Sequence, residues 1–289
     1  MPGPVWPILG RGAIALTTPG SPIDAAALEA AIAAVSASGR DPLVYGDVTA
    51  ATTPAERAAA MTAALSDPAV AGVVALRGGW GTAQILPLME GFGFLQHAKP
   101  LLGYSDLTSL QLALSRMGIV SFHGPMPAEP EPTRPSAEHF RRIVARLEVP
   151  PPWRLELPVG ASVRREGEGV GRLIGGNLTT LCHLVGTPYL PPMKGAILFL
   201  EEIGEVPYRV SRLLTHLALT GILDGLSALL IGDLGLDPEP FVPMLMERVG
   251  GPVVTGLPVG HLLGQWILPT GSRAAIDTAA GSLIFHGRA

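Results

Sequence analysis

The chain has one cysteine, Cys182, in 289 residues. It therefore cannot form an internal disulfide, which suits a reducing compartment. Charged residues make up only 15% of the sequence, and no block of like charge occurs: Arg141-Arg142 and Arg164-Arg165 are isolated pairs. Disordered and coiled-coil proteins are excluded on that composition. The formal net charge of −4 leaves no basic footprint for a nucleic-acid partner. No apolar run reaches membrane-spanning length; the longest, from Leu226 to Gly232, stops at Asp233. The first residues, Met1 to Pro7, have neither the basic flank nor the apolar core of a signal peptide. A soluble cytoplasmic protein with no membrane partner is expected. No His-Glu-x-x-His occurs and Cys182 has no partner cysteine, so neither a metal nor a cofactor is expected. Arg77-Gly78-Gly79-Trp80-Gly81 lacks the Lys-Ser/Thr of a phosphate-binding loop, and no Gly-x-Gly-x-x-Gly follows a strand. There is no internal repeat.

Apolar residues make up 47% of the chain, enough for a sizeable core, and 29 prolines and 36 glycines punctuate the apolar segments. Strands are predicted at 13–17, 43–45, 72–76, 101–103 and 119–122. Between them lie helices at 25–38, 53–65, 83–89 and from Thr108 onward, the first capped by Asp24. Thr53-Pro54-Ala55-Glu56 is a helix-start signature. This alternation implies a parallel sheet with helices on both faces. Ligands of such sheets sit outside the carboxyl ends of the strands. The turns at 77–81, 105–106 and 123–124 should therefore share one crevice. A helix at 137–147 is followed by Pro150-Pro151-Pro152, which reads as a stiff linker. Beyond it the pattern changes to short strands (153–158, 169–174, 196–200, 228–231, 253–255, 274–277, 282–286) with helices at 178–185 and 210–220. Two domains are expected: an α/β domain over 1–150 and a smaller, mixed, β-rich α+β domain over 151–289.

Ser105 sits in a tight turn between the strand ending at Gly103 and the helix beginning at Thr108. A hydroxyl there lies near the positive end of the helix, where a nucleophile could be placed. Ser and Asp are also ordinary helix caps, so both readings stand for Ser105-Asp106. The glycines after Arg77 are either a set of backbone donors for a developing oxyanion or a turn that needs glycine. Glu201 and Glu202 end an apolar strand; either the strand is reaching solvent or one of them orients a histidine. Alternation puts only one of the two on a given face. Among seven histidines, His261 lies in a rigid turn after a strand, His123 closes a strand beside the crevice, and His183 sits in a helix. Ser105, Glu201 and His261 follow the Ser…acid…His order of α/β-hydrolases, but Leu107 stands where their elbow has its second glycine.

Taken together, several motifs resemble the LD-carboxypeptidases, the muramoyltetrapeptide carboxypeptidases. In the first half they are Arg77-Gly78-Gly79-Trp80-Gly81, Gly103-Tyr104-Ser105-Asp106-Leu107-Thr108 and Phe122-His123-Gly124-Pro125-Met126. In the second they are Gly175-Gly176-Asn177-Leu178, the run from Leu198 to Arg209, and Leu257-Pro258-Val259-Gly260-His261. The resemblance implies a flavodoxin-like N-terminal domain, a swivelling β-rich C-terminal domain and a homodimer. It implies a serine peptidase that releases terminal D-alanine from cytoplasmic murein tetrapeptide in peptidoglycan recycling. Ser105 would be the nucleophile, Glu201 the acid and His261 the base, with oxyanion donors at the Gly79 and Asp106 N–H groups. Asp106 would also cap the following helix. Arg77, Trp80, Tyr104, His123, Asn177 and Arg209 are the substrate-binding candidates, Arg77 and Arg209 on charge alone. Trp80 stands where the family usually has Tyr, Gln84 where Arg is common and Ser211 where Asp is frequent. A branch resembling microcin-immunity peptidases cleaves a peptidyl-nucleotide amide. The rivals from other classes are a two-lobed small-molecule binding protein and an amidotransferase-like enzyme. The second needs a cysteine nucleophile, and Cys182 falls in a helix.

Overall fold

A strand buried on both faces needs apolar residues at every position rather than at alternate ones. The first strand, β1 (Ala13–Thr17), is buried at all five. The computed structural model describes residues 3–287. After β1 come α1 (Ala25–Ala37), β2 (Pro42–Val44), α2 (Pro54–Ser66), β3 (Val70–Ala75), α3 (Thr82–Ile85), β4 (Leu101–Gly103), α4 (Thr108–Arg116), β5 (Ser121–His123) and α5 (Ala137–Leu147). The second half holds β6 (Trp153–Glu156), β7 (Ser162–Arg165), β8 (Glu168–Asn177), α6 (Leu178–Leu184), β9 (Ile197–Glu201), α7 (Pro207–Leu219), β10 (Ala228–Ile231), α8 (Val242–Arg248), β11 (Val253–Thr255), β12 (Leu268–Thr270), β13 (Arg273–Asp277) and β14 (Ser282–His286).

The first sheet has six strands in the order β12-β5-β4-β3-β1-β2. Strands β2-β1-β3-β4-β5 are parallel, the flavodoxin-like order. The chain reverses its direction of travel across the sheet between β1 and β3, so the crevice lies at their carboxyl ends. The second sheet has eight strands in the order β6-β14-β13-β8-β9-β10-β11-β7. Its β8-β9-β10-β11 centre is parallel, and antiparallel strands flank it on both sides. This is an α/β molecule with a parallel N-terminal sheet and a mixed, β-rich second sheet.

Local chemistry explains the boundaries. Asp24 accepts the Ala27 N–H at 2.7 Å and starts α1. Thr53 and Glu56 close a reciprocal capping box on α2. The helix expected over 83–89 stops at Ile85, and a 3-10 turn over Pro87–Met89 follows. Pro87 lacks the N–H that would carry the α-helical ladder through. Three elements were not anticipated: β7, α8 and β12. Strand β12 leaves the second half of the chain to pair antiparallel with β5 at the edge of the first sheet. Its central Pro269 cannot donate to a ladder and is tolerated at an edge.

Helix α4, which follows the Ser105 turn, packs against β8 and α6. Leu107, Leu110, Leu114, Leu178 and Leu181 lie in one buried cluster across this seam, each contributing roughly 2 kcal/mol of burial. The Asn177 N–H donates to Thr108 Oγ1 at 3.0 Å, which ties the end of β8 to the start of α4. Among the described residues no helix is long and apolar enough to cross a membrane.

Candidate active site

The turn after β4 is under backbone strain at one residue. Ser105 has φ 63° and is the single non-glycine residue with positive φ among those described. A serine pays such strain, of order 1 kcal/mol or more, only where the surroundings enforce it. A 3-10 turn over Ser105–Leu107 leads directly into α4, and no side chain caps either segment. The cap reading of Ser105 therefore falls away. Asp106 does not cap α4 either: its Oδ2 reaches sideways and accepts the Thr82 N–H at 2.7 Å, the start of α3. The carboxylate thus fastens the serine turn to the glycine loop after β3.

Gly78 explains that close approach. A Cβ built there would lie 2.7 Å from Ser105 Cβ, 2.9 Å from its Oγ and 3.0 Å from the Asp106 nitrogen. Gly79 adopts φ 72°, and the Trp80 N–H donates to Ser21 Oγ at 3.1 Å. The loops after β1, β3 and β4 are packed backbone to backbone around Ser105.

The second sheet supplies the partners. Glu201 is the last residue of β9, a strand buried at every position, and is itself fully buried. Its Oε2 lies 2.9 Å from His261 Nδ1. Gly260, at φ 118°, permits the approach: a Cβ there would sit 3.0 Å from Glu201 Cβ and 3.2 Å from its Oε2. Burial raises the Glu201 carboxyl above its ordinary range, while His261 opposes the shift. Burial also pulls His261 down, but the Glu201 hydrogen bond and the charges of Glu201, Glu129 and Glu202 outweigh it, leaving the imidazole above its ordinary value. The Tyr104 ring lies 4.6 Å from the His261 ring, centroid to centroid.

Adjacent Glu202 has a separate duty. It accepts from Asn177 Nδ2 (3.1 Å), Thr179 N (2.8 Å), Thr179 Oγ1 (2.6 Å) and Ile203 N (2.8 Å). Strand alternation sends one carboxylate to the histidine and the other to the start of α6.

A cavity of about 580 Å³ joins these elements; Arg77, Gly78, Gly79, Tyr104, Ser105 and His261 are in its wall. All lie beyond the carboxyl ends of strands, where the sheet order opens a crevice. Four of the expected binding residues are not in that wall. Trp80 is 71% exposed and turned outward. The Arg209 side chain is 58% exposed and faces Glu205 at 3.4 Å. Asn177 is buried and caps α6 through Thr180. His123 is wholly buried behind Tyr104 and edge-on to Phe199, and burial, with His261 nearby, lowers it to about 3, so it is neutral. The crevice expected to include the turn at 123–124 is completed instead by the segment after it.

That segment carries the residues that sequence reasoning passed over. Glu129 and Arg134 both line the cavity. The Tyr104 O–H donates to Glu129 Oε2 at 2.8 Å, and Arg134 Nε donates to the Glu129 carbonyl at 2.7 Å. Their position beyond the carboxyl end of β5 was the available signal.

Similar proteins are known for both halves of the chain. Residues 14–124 match the LD-carboxypeptidase N-terminal domain and residues 170–276 the LD-carboxypeptidase C-terminal domain. The chain is 34% identical to a putative carboxypeptidase of Streptomyces coelicolor, over 93% of this chain and 92% of that one. It is 32% identical to the murein tetrapeptide carboxypeptidase of Pseudomonas aeruginosa, over 94% of each chain. The crystal structure of muramoyltetrapeptide carboxypeptidase from Oxalobacter formigenes superimposes with TM-score 0.83 at 33% identity, covering 94% of this chain and 97% of that one. The microcin C7 self-immunity protein MccF with aspartyl sulfamoyl adenosine gives TM-score 0.87 at 20% identity over 99% of this chain and 98% of that one, a likeness of fold.

Proposed function

Because this chain belongs to the LD-carboxypeptidase family, we propose that its cavity is the active site of a serine-type carboxypeptidase. The substrate is a murein tetrapeptide and the product its terminal D-alanine. The observation that carries the reading is the His261–Glu201 pair, at 2.9 Å, opening into the same cavity as the strained Ser105.

In this reading Ser105 Oγ attacks the carbonyl of the L,D peptide bond, and His261 Nε2 takes the hydroxyl proton. Glu201 accepts from Nδ1–H, holds that tautomer and stabilises the imidazolium. The N–H groups of Gly79 and Asp106 face the oxyanion; one such donor is worth about 3 kcal/mol of barrier. His261 returns the proton to the departing D-amino acid, and water then attacks the acyl-serine in a second cycle of the same kind. Arg77 and Arg134, both in the cavity wall, are the cations available to the terminal carboxylate.

A peptidyl-nucleotide amide would meet the same Ser105–His261–Glu201 set. The greater sequence identity is to the murein tetrapeptide enzymes, and it favours the tetrapeptide. In this reading the substrate is wall peptide recycled inside the cell, so the proposed site of action is the cytoplasm; the homodimer is proposed on the family resemblance alone. Incubating the purified protein with murein tetrapeptide and following its mass tests the activity: the peptide should lose one alanine.

A further inference from the structure

Arg57 lies on α2, half-buried and outside the cavity wall. Its guanidinium donates to uncharged oxygens. Nε reaches the Pro19 carbonyl at 3.0 Å and Nη1 the Thr52 carbonyl at 2.5 Å. Nη2 reaches the Gly81 carbonyl at 3.4 Å and Gln84 Oε1 at 2.8 Å. Among the described residues it forms no ion pair. A guanidinium fixes the directions of its N–H groups in one plane, which a lysine ammonium on its flexible stem does not. Arg57 is therefore built as a brace between backbone segments.

Two of those segments are the loops after β1 and β3, which pack around Ser105. Arg57 grips the first at Pro19 and the second at Gly81. Between these fixed points the loops meet at Ser21. The Ser21 N–H donates to the Gly78 carbonyl at 3.0 Å, and the Trp80 N–H donates to Ser21 Oγ at 3.1 Å. The first of these bonds bears on chemistry. The Gly78 carbonyl and the Gly79 N–H belong to one planar trans peptide and point in opposite directions. A donor that holds the Gly78 oxygen therefore aims the Gly79 N–H. Thr82, one residue beyond Gly81, donates to Asp106 Oδ2 at 2.7 Å, so the same clamp reaches the residue that carries the second proposed oxyanion donor.

We propose that Arg57 is a positioning residue for the oxyanion site. By clamping the loops after β1 and β3 at Pro19 and Gly81, it holds the Gly79 N–H in the direction of the developing charge. This rests on the peptidase reading above and adds to it a residue that touches no substrate. The expected effect falls on the transition state, because the oxyanion forms only there and in the tetrahedral intermediate that follows.

The test uses Arg57→Ala and Arg57→Lys with murein tetrapeptide. Arg57→Ala should lower kcat by about thirtyfold, somewhat less than loss of a whole donor, with KM within about threefold of the wild-type value. Arg57→Lys keeps the charge but not the planar fork, and should stay about tenfold or more below wild type. A tripeptide aldehyde forms an adduct with Ser105 that puts its oxygen in the oxyanion site. Its affinity should fall in Arg57→Ala by the same factor as kcat/KM. Tetrapeptide binding, measured in a Ser105→Ala background, should be equal with and without Arg57→Ala. A kcat within about twofold of wild type in either folded variant would overturn the proposal and leave the peptidase standing. So would a fall in kcat matched by an equal fall in tetrapeptide binding, which marks general damage to the cavity. If Arg57→Ala does not fold, Arg57→Lys carries the same comparisons. No turnover by the wild-type protein would overturn the peptidase reading itself, and this one with it.

Discussion

His261 Nδ1 and Glu201 Oε2 lie 2.9 Å apart, although one residue follows β11 and the other ends β9. With Nδ1 committed to the carboxylate, Nε2 is the nitrogen that the proposed mechanism assigns to Ser105. Glu201→Gln keeps the shape but removes the charge and permits the wrong tautomer. It is expected to lower kcat by about a thousandfold or more, with little change in unfolding midpoint. Steady-state kinetics beside a urea titration checks both parts.

The pH profile follows from the same pair. In the proposed mechanism His261 must be neutral to act as the base, and its environment raises its pKa above the ordinary value. Protonation therefore silences the enzyme up to a higher pH than a free imidazole would. The acid limb of kcat/KM should have its midpoint above about 6.5, the ordinary histidine value, with activity rising as pH rises through it. Removing the Glu201 charge removes a cause of the upward shift, so the midpoint of the residual activity of Glu201→Gln should move toward lower pH.

Neighbouring Glu202 should behave in the opposite way. It accepts four hydrogen bonds, three of which, from Asn177 and Thr179, fasten the junction of β8 and α6. Glu202→Ala leaves buried donors unsatisfied and is expected to cost about 3 kcal/mol of stability. In the proposed mechanism the two adjacent glutamates separate chemistry from scaffolding, and chemical denaturation of both variants tests that division.

A methyl group at Gly78 is expected to disturb the nucleophile. The added Cβ would meet Ser105 Cβ at 2.7 Å and the Asp106 nitrogen at 3.0 Å. Gly78→Ala should lower kcat by about a hundredfold, as displacement of the serine and an oxyanion donor would. Far-ultraviolet circular dichroism should stay unchanged.

The sequence made part of this legible and hid the rest for physical reasons. The parallel first sheet could be anticipated because strands buried on both faces, such as β1 and β3, read as nearly continuous apolar runs; its flavodoxin-like order came from the family resemblance. The Ser105 turn was visible because a strand pattern and a helix pattern meet there. Strand β12 was hidden, being three residues long with Pro269 at its centre. The choice between Glu201 and Glu202 was also hidden, since alternation says that the two diverge but not which way. Trp80 was misplaced because side-chain direction in a glycine loop depends on backbone angles: Gly79 at φ 72° and Gly81 at φ 112° turn it to solvent. Glu129 escaped because a proline-rich stretch has no periodicity to show which side chain faces inward.

Ser105 bears most directly on the whole account. Murein tetrapeptide is incubated with the wild-type protein and, in parallel, with folded Ser105→Ala, and the peptide mass is followed. The wild-type reaction is expected to lose one alanine and the variant to leave the peptide intact. Release at the parental rate by Ser105→Ala would contradict the account.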